Sequence, residues 1–239
     1  MDFEGFEEKY LQTQNGRLFY LHRSAPGKTI IFLHGIGGSL KSWNKLTPYL
    51  PHNLNIYLID MLGHGRSDAP EMEYDVMVQV DALDEFIQKL ALDTPVLFGH
   101  SYGGWMAIHY SLRQKVDCLI IEDCAGMESQ QLEINSAGKK EEDRKSLIIE
   151  SIKIGANEKV ITSAANNFDK HMLTDAMLQN VSARTLLIWG ADDEWVPIKF
   201  GNEMHSMIKD SEFLSIPEAG HVPHRTKPQV VGDAIAKFY

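Results

Sequence analysis

Apolar residues along the chain form short continuous runs, separated by longer segments with a helical period. The runs contain many β-branched and aromatic residues and do not alternate with polar ones, which is typical of strands buried on both faces. They are KTIIFLHG, NIYLIDMLGHG, TPVLFGHS, CLIIEDC, RTLLIWG and EFLSIPEAGH. Because helical segments lie between most of these runs, the pattern predicts a parallel α/β sheet.

Helix and hairpin patterns fill in the rest of the core. One apolar stripe steps by three and four residues: Val76, Val80, Leu83, Ile87 and Leu90. Asp75 precedes this stripe as a possible helix cap, and a similar stripe begins after Pro228. Near the start, EKYLQT and RLFYLHRS have no helical segment between them, and Asn15-Gly16 predicts an antiparallel hairpin.

The alternation stops between about residues 126 and 181. This stretch contains the mixed charge run KKEEDRK and amphipathic pieces such as LIIESIKI, but no convincing strand. We therefore expect an α/β core over 1–125 and 182–239, with a helical cap over 126–181. A chain of 239 residues is long enough for one large domain with such an insertion.

Composition and charge narrow the class of protein. The net charge of −10 argues against a nucleic-acid partner, and no apolar run is long enough to span a membrane. The N-terminus, MDFEGFEEKY, lacks the apolar centre of a signal peptide. Cys118 and Cys124 flank a predicted strand that holds them too far apart for a disulfide. We expect a cytoplasmic protein without a membrane partner, either a monomer or a homodimer.

Ser101 is the candidate nucleophile. It lies in GHSYG, after a predicted strand and before a segment able to form a helix. In that setting, glycines at 99 and 103 permit the sharp turn that presents a nucleophilic serine. The five-residue pattern alone arises by chance in about one chain in ten of this length, so Ser101 could also be an ordinary loop residue.

A base and an acid follow at the ends of later strands. A nucleophilic serine needs a base, and the base needs an orienting acid. Asp192 and Asp193 follow LLIWG, and His221 follows FLSIPEAG, where open α/β sheets place their sites. His224 is a second candidate base, but it lacks the preceding Ala-Gly turn. The order Ser, Asp, His differs from both protease orders.

Four segments in register with the predicted strands make nearly the whole chain resemble the α/β-hydrolase family. They are HGIGGS, DMLGHGRSD, GHSYGG and the pair WGADDEWVP with AGH. The resemblance implies an eight-stranded, mostly parallel sheet with helices on both faces and a cap after strand six, where residues 126–181 fall. It also implies that HGIGGS forms the loop of an oxyanion hole.

The resemblance assigns a role to each candidate. It implies that Ser101 is the nucleophile and His221 the base. In similar family members the acid is the third residue after the strand-ending glycine, which here is Asp193. Asp192 would then point elsewhere, for example to cap the next turn. A minority of the family carries the acid after strand six, where this chain has Asp123.

The oxyanion hole and the substrate pocket complete the predicted site. Backbone N–H groups of Tyr102 and Ile36 are expected to form the hole, with Gly37 as a second choice for the latter. Plain core packing is the alternative reading for the predicted pocket walls, which are Gly35, Gly37, Trp195, Val222, Leu147 and Phe168. Three further histidines are expected to be structural: His34, His64 and His100. No metal-ligand, phosphate-loop or dinucleotide motif is present, so no metal or cofactor is expected.

The serine at the elbow favours acyl transfer, because the similar dehalogenases and epoxide hydrolases use an aspartate there. We therefore expect a cofactor-free serine carboxylesterase that acts on small-molecule esters of short to medium acyl chain through an acyl-enzyme on Ser101. Two alternatives stay open. One is a carbon–carbon bond hydrolase of β-diketones or ring-cleavage products, and the other is a noncatalytic ligand receptor on the same fold.

Overall fold

One sheet runs through the centre of the computed structural model, which describes residues 3–136, 140–153 and 156–238. Within these ranges, six side chains lie outside the described part: Ile134, Lys140, Glu141, Asp143, Arg144 and Leu147. The described residues form eight strands: β1 (Glu7–Thr13), β2 (Gly16–Arg23), β3 (Thr29–Leu33), β4 (Asn55–Ile59), β5 (Val96–His100), β6 (Cys118–Glu122), β7 (Arg184–Gly190) and β8 (Ser211–Ile216).

The strand order in the sheet is β1-β2-β4-β3-β5-β6-β7-β8. The predicted hairpin is confirmed, since β1 pairs with β2 in antiparallel orientation, and β2 also pairs with β4 in this way. All pairs from β4 to β8 are parallel. The carboxyl ends of β5, β6, β7 and β8 therefore lie side by side at one edge of the sheet.

Helices cover both faces of the sheet. The described residues form α1 (Val76–Lys89), α2 (Tyr102–Arg113), α3 (Glu128–Ser136), α4 (Lys140–Lys153), α5 (Glu158–Asn166), α6 (Asp175–Gln179), α7 (Ile198–Met207), α8 (Pro223–Thr226) and α9 (Pro228–Phe238), and 3-10 helices at Leu40–Lys45 and Thr47–Tyr49. Asp75 caps α1 as predicted, because its Oδ1 accepts hydrogen bonds from the Met77 and Val78 N–H groups at 2.9 and 3.0 Å.

Two apolar layers form the core, one on each side of the sheet. The apolar runs in β3 to β7 are buried on both faces, as predicted. The prediction is wrong for the last run, in β8, which is only partly buried because β8 is an edge strand of the sheet. In β3, Ile31 and Leu33 pack into the layer with α1 and α2, and Ile30 and Phe32 pack into the layer with α9. Alternate side chains of a strand point to opposite faces, so a strand covered on both sides needs apolar residues throughout.

The helical insertion follows β6, where it was predicted. Helices α3 to α6 lie between β6 and β7, and the described part of this stretch contains only an isolated bridge, between Met127 and Leu173. The second half of the insertion is hydrogen-bonded to α2 of the core. The His171 carbonyl group accepts hydrogen bonds from the Trp105 and His109 rings, at 3.0 and 2.7 Å. Among the described helices, none has the length and apolarity that a membrane crossing requires.

Candidate active site

Ser101 stands at a strained turn between β5 and α2. Its φ of 52° lies in the left-handed region, which a non-glycine residue adopts only when its surroundings hold it there. The turn is tight enough to require glycine on both sides. A Cβ at Gly99 would collide with the Gly103 carbonyl oxygen, and a Cβ at Gly103 would collide with that of Leu33. This is the geometry of a serine presented at the carboxyl edge of the sheet.

A continuous hydrogen-bond chain joins Ser101, His221 and Asp193. The Ser101 Oγ lies 3.0 Å from the His221 Nε2, and the His221 Nδ1 lies 2.7 Å from the Asp193 Oδ2. The three residues come from the carboxyl ends of β5, β8 and β7, which the sheet order brings together. These distances suit proton transfer from a serine to a histidine that a carboxylate orients.

Asp193, and not Asp192, is the carboxylate that reaches the histidine. Asp193 is buried, whereas Asp192 is exposed. The expectation that Asp192 caps the following turn is wrong. Instead, the Asp193 Oδ1 accepts hydrogen bonds from the Trp195 and Val196 N–H groups, at 2.8 and 3.0 Å. The same carboxylate thus closes the turn and orients the base.

The surroundings keep Asp193 ionised. Burial acts to raise the pKa of Asp193, but the hydrogen bond and charge of His221 and the Val196 N–H outweigh it, and the pKa lies below its ordinary value. A charged acceptor is therefore available to the His221 Nδ1–H at neutral pH, which leaves Nε2 free to accept a proton from Ser101.

The loop predicted to form the oxyanion hole lies directly beside the nucleophile. A Cβ at Gly35 would stand 3.3 Å from the Ser101 Cβ. Tyr102 is the first residue of α2, so its N–H belongs to the helix turn that has no acceptor within the helix. The partly buried Ile36 follows Gly35 in this loop. The His34 ring is structural, as predicted, since its Nε2 accepts the Met61 N–H at 3.1 Å.

A second serine–histidine–carboxyl chain lies next to the first. The Ser42 Oγ is 2.6 Å from the His224 Nε2, and the His224 Nδ1 bonds to the Glu122 Oε2. His224 and Glu122 are fully buried. Burial lowers the pKa of His224 well below its ordinary value and raises the pKa of Glu122 to about 7. Ser42 lies on a 3-10 helix and lacks the strained turn at which Ser101 stands. The hydrogen bonds among Ser42, His224 and Glu122 connect this 3-10 helix to α8 and β6.

His100 supports the candidate base from its other side, a contact that the sequence reasoning missed. Its Nε2 lies 2.6 Å from the His221 carbonyl oxygen. Burial lowers the pKa of His100 to about 3, so the ring is neutral and Nε2–H donates. The position of His100 directly before Ser101 was the available indication, because that residue also ends β5 at the site.

Two of the predicted pocket walls, Gly37 and Phe168, lie at the cap. Gly37 faces the cap, since a Cβ there would collide with Ser151 of α4, a buried residue that the sequence reasoning did not identify. Phe168 packs against Trp105, with ring centroids 5.1 Å apart, and so belongs to the apolar layer as well as to the cap.

Two other predicted walls, Trp195 and Val222, adjoin His221. Trp195 is 54% exposed, with its ring centroid 6.4 Å from that of His221, so it stands at the rim. Val222 is partly buried and precedes α8. The side chain of Leu147 lies outside the described residues. Ser101 itself is buried, with 6% of its surface exposed.

Two groups of described residues bring metal-ligand atoms within 4.8 Å of one another: His100, Glu122 and His224, and Asp123, Asp193 and His221. Hydrogen bonds account for both groups. Glu122 accepts from the backbone and the ring of His224, and Asp193 accepts from His221.

The sheet order, the elbow and the Ser–His–Asp chain together define a protein of the α/β-hydrolase class. Residues 28–143 match the family model described as the alpha/beta hydrolase fold. The AB hydrolase superfamily protein YisY of Bacillus subtilis is 24% identical, over 96% of this chain and 98% of its own. Residues 28–143 are thus similar to the α/β-hydrolase fold family, and the strand order of the whole sheet agrees with that fold.

Solved structures agree with this fold. The chain is similar to an esterase (EaEST) from Exiguobacterium antarcticum, with a TM-score of 0.83 and 19% identity over 97% of this chain and 99% of the other. It is also similar to the meta-cleavage product hydrolase CumD of Pseudomonas fluorescens IP01, with a TM-score of 0.79 and 19% identity over 96% of each chain. At these identities the likeness concerns the fold.

Proposed function

We propose that the protein is a cofactor-free serine hydrolase that cleaves small carboxylic esters of short to medium acyl chain. The observation that carries this proposal is the hydrogen-bond chain from Ser101 through His221 to Asp193, with distances of 3.0 and 2.7 Å. The proposed reaction needs a nucleophile, a base and an orienting acid, and these three residues would supply one of each.

The proposed reaction has two halves. The Ser101 Oγ attacks the ester carbonyl while its proton passes to the His221 Nε2, and the developing oxyanion is bound by the Ile36 and Tyr102 N–H groups. His221 then returns the proton to the leaving alcohol, and an acyl-enzyme remains on Ser101. In the second half, His221 activates a water molecule that releases the acid. Asp193 stays ionised throughout and holds the histidine in orientation.

The charge state of the site favours an uncharged substrate. Burial lowers the pKa of His34 to about 4 and that of His100 to about 3, so both rings are neutral at neutral pH. A neutral ester needs no counter-charge, whereas a buried anionic substrate without a paired cation loses hydration free energy. This supports an ester as the first choice.

A burst experiment tests the proposal. With p-nitrophenyl acetate in excess, we expect a rapid release of p-nitrophenol equal to the enzyme concentration, followed by a slower steady rate, because an acyl-enzyme forms before it is hydrolysed. A noncatalytic receptor would release no p-nitrophenol beyond the background rate. That result would reject the proposal and favour the receptor alternative.

A carbon–carbon bond hydrolase is the second candidate, and the similarity to CumD favours it. The same oxyanion geometry serves both reactions, since a ketone next to the cleaved bond also passes through an oxyanion. A β-diketone assayed beside the esters separates the two candidates. A value of kcat/KM for the diketone above that for every ester would make carbon–carbon cleavage the primary function.

The first prediction concerns acyl chain length. On p-nitrophenyl esters from two to sixteen carbons, kcat/KM should rise and then fall, with a maximum at roughly four to eight carbons. Each buried methylene contributes about 0.8 kcal/mol until the pocket is full, and overpacking then costs about 1–3 kcal/mol. The insertion of about 55 residues can roof a compact pocket but not a long tunnel. A maximum at twelve or more carbons, or activation at an oil–water interface, would contradict this and indicate a lipase.

The second prediction concerns the cap, for which we keep the proposed bounds 126–181. Ile148→Ala in α4 and Phe168→Ala should change KM and the chain-length preference while leaving the acylation rate with p-nitrophenyl acetate within about threefold. Ile148 lies on the helix that places Ser151 over Gly37, whereas the chemistry lies beneath. An equal loss on every ester in a folded variant would show that these residues do more than select substrate.

The proposal places the enzyme in the cytoplasm. Cys118 and Cys124 are both buried free thiols, which is in keeping with a reducing compartment. The proposed partner is the ester alone, with no nucleic acid or membrane, and with a monomer or a homodimer as the assembly. Size-exclusion chromatography with light scattering distinguishes these two states.

A further inference from the structure

Asp123 follows β6, immediately beside the Ser101–His221–Asp193 chain, and is fully buried. Its φ of 46° is in the left-handed region, and such strain persists only where surrounding contacts hold it. The Asp123 Oδ1 accepts the Gly190 N–H at 3.0 Å, which joins the end of β6 to the end of β7. The proposed reaction makes no use of this carboxyl group.

The Asp123 carboxyl group lies beside the Asp193 carboxylate. No donor among the described residues reaches the Asp123 Oδ2, which is buried. One ligand atom each of Asp123, Asp193 and His221 lies within 4.8 Å of the others, so the two aspartate carboxyl groups are close neighbours. Two buried carboxylates at such a distance cannot both remain ionised, so one of them must hold a proton.

The count of donors shows which carboxyl group is protonated. Asp193 accepts three hydrogen bonds, from His221, Trp195 and Val196, whereas Asp123 accepts one, from Gly190. Hydrogen bonds to the charged form stabilise it, so Asp193 keeps the charge. In agreement, burial and the nearby carboxyl groups Glu122 and Asp193 raise the pKa of Asp123 to about 10.

We propose that Asp123 is a neutral carboxylic acid that donates a hydrogen bond from Oδ2 to the Asp193 carboxylate and thereby positions Asp193 for His221. The chain at the site then has four members. The proton stays on Asp123 throughout the reaction, and no bond to it breaks. Asp123 is thus a positioning residue, and it acts on the nucleophile only through Asp193 and His221.

This hydrogen bond has a predicted effect on the base. The negative charge of Asp193 stabilises the protonated imidazole of His221. A hydrogen bond from Asp123 to Asp193 partly neutralises this charge, so it reduces the stabilisation of the protonated imidazole. The other titratable groups around Asp123 are Glu122 on β6, which carries its own partner His224, and the Cys124 thiol, whose pKa burial raises. Neither of these two residues bonds to Asp193, so the effect is assigned to Asp123.

Infrared spectroscopy tests the protonation state without any activity assay. The wild-type protein at neutral pH should show the C=O stretching band of a protonated carboxyl group, and Asp123→Asn should lose it. Glu122→Gln is the matched control, because Glu122 is the neighbouring buried carboxyl group, and this variant should keep the band assigned to Asp123. Because Glu122, with a pKa of about 7, can add a band of its own, the deciding comparison is made without it. A Glu122→Gln spectrum without the band, or a band that the double variant Glu122→Gln/Asp123→Asn retains, would overturn the proposal.

The kinetic test compares two replacements of the same side chain, and only this part rests on the proposed esterase function. Asp123→Ala should lower kcat/KM about 10- to 100-fold, because a displaced Asp193 misaligns the base. It should also move the acid limb of the kcat/KM profile to higher pH by up to about one unit. Asp123→Asn should recover most of the activity and the original acid limb, since its amide donates to Asp193 and accepts from Gly190.

The outcomes separate the proposal from a purely structural or charged role. If Asp123→Asn loses as much activity as Asp123→Ala while folded, a charged Asp123 is required and the proposal is wrong. If Asp123→Ala changes Tm but leaves the acid limb in place, the role is structural and the proposal is again wrong. Should the alanine variant not fold, the infrared band and the asparagine variant decide. Asparagine tolerates the left-handed conformation at this position better than alanine does.

Discussion

Replacing Ser101 with alanine should lower kcat on p-nitrophenyl esters by a factor on the order of 10⁵–10⁶, because the nucleophile and the base act as one unit. The same variant should lose all reaction with a fluorophosphonate probe, which labels the wild-type protein once. Mass spectrometry of the labelled peptide locates the adduct. The change removes only Oγ and leaves the backbone turn at φ 52° in place, so Tm should remain within a few degrees.

Ser42→Ala is the matched control for this prediction. Ser42 is also hydrogen-bonded to a histidine that a carboxyl group contacts, with 2.6 Å between its Oγ and the His224 Nε2. It lacks the positive-φ turn and the adjacent helix N-terminus of Ser101, and its histidine is fully buried. Labelling should therefore persist in Ser42→Ala. Labelling that survives in Ser101→Ala but disappears in Ser42→Ala would assign the nucleophile to the second chain.

The fold and the elbow could be predicted because local patterns encode them. Continuous apolar runs identified the buried strands, Asn15-Gly16 identified the hairpin, and the glycines on either side of Ser101 identified the turn. The order of parallel strands then places the ends of β5, β7 and β8 at one edge. The resemblance to the family distinguished Asp193 from Asp192, because similar members carry the acid as the third residue after the glycine that ends the strand.

The remaining features depend on contacts between residues far apart in the chain. His100 meets the carbonyl group of His221 across 121 positions, and Glu122 meets His224 across 102. No local pattern encodes such pairs. The protonation of Asp123 is harder still to predict, because it follows from how many donors reach each of two carboxyl groups. The contact between Ser151 and Gly37 is a further example, because it depends on how the cap packs over the loop that contains Gly37.

Replacing Asp193 with asparagine should lower kcat by a factor on the order of 10⁴, while Asp192→Asn should cost less than about threefold. An asparagine at 193 can still accept the Trp195 and Val196 N–H groups through its carbonyl oxygen, so the turn should stay intact. Its amide group, however, would direct a donor at the His221 Nδ1. The imidazole would then carry its proton on Nε2, where it cannot accept one from Ser101.

The pH profile shows how this loss arises. The pKa of Asp193 lies below its ordinary value, so the wild-type carboxylate is ionised through the neutral range and its own titration cannot limit activity there. If the asparagine variant is slow because the histidine carries its proton on the wrong nitrogen, raising the pH should recover part of the rate, because hydroxide can take over the role of the base. Asp192→Asn should show no such recovery, because its rate at neutral pH should be close to that of the wild-type protein. If Asp192→Asn were instead the slow variant, the orienting acid would be one residue earlier, and the inward placement of Asp193 would be wrong.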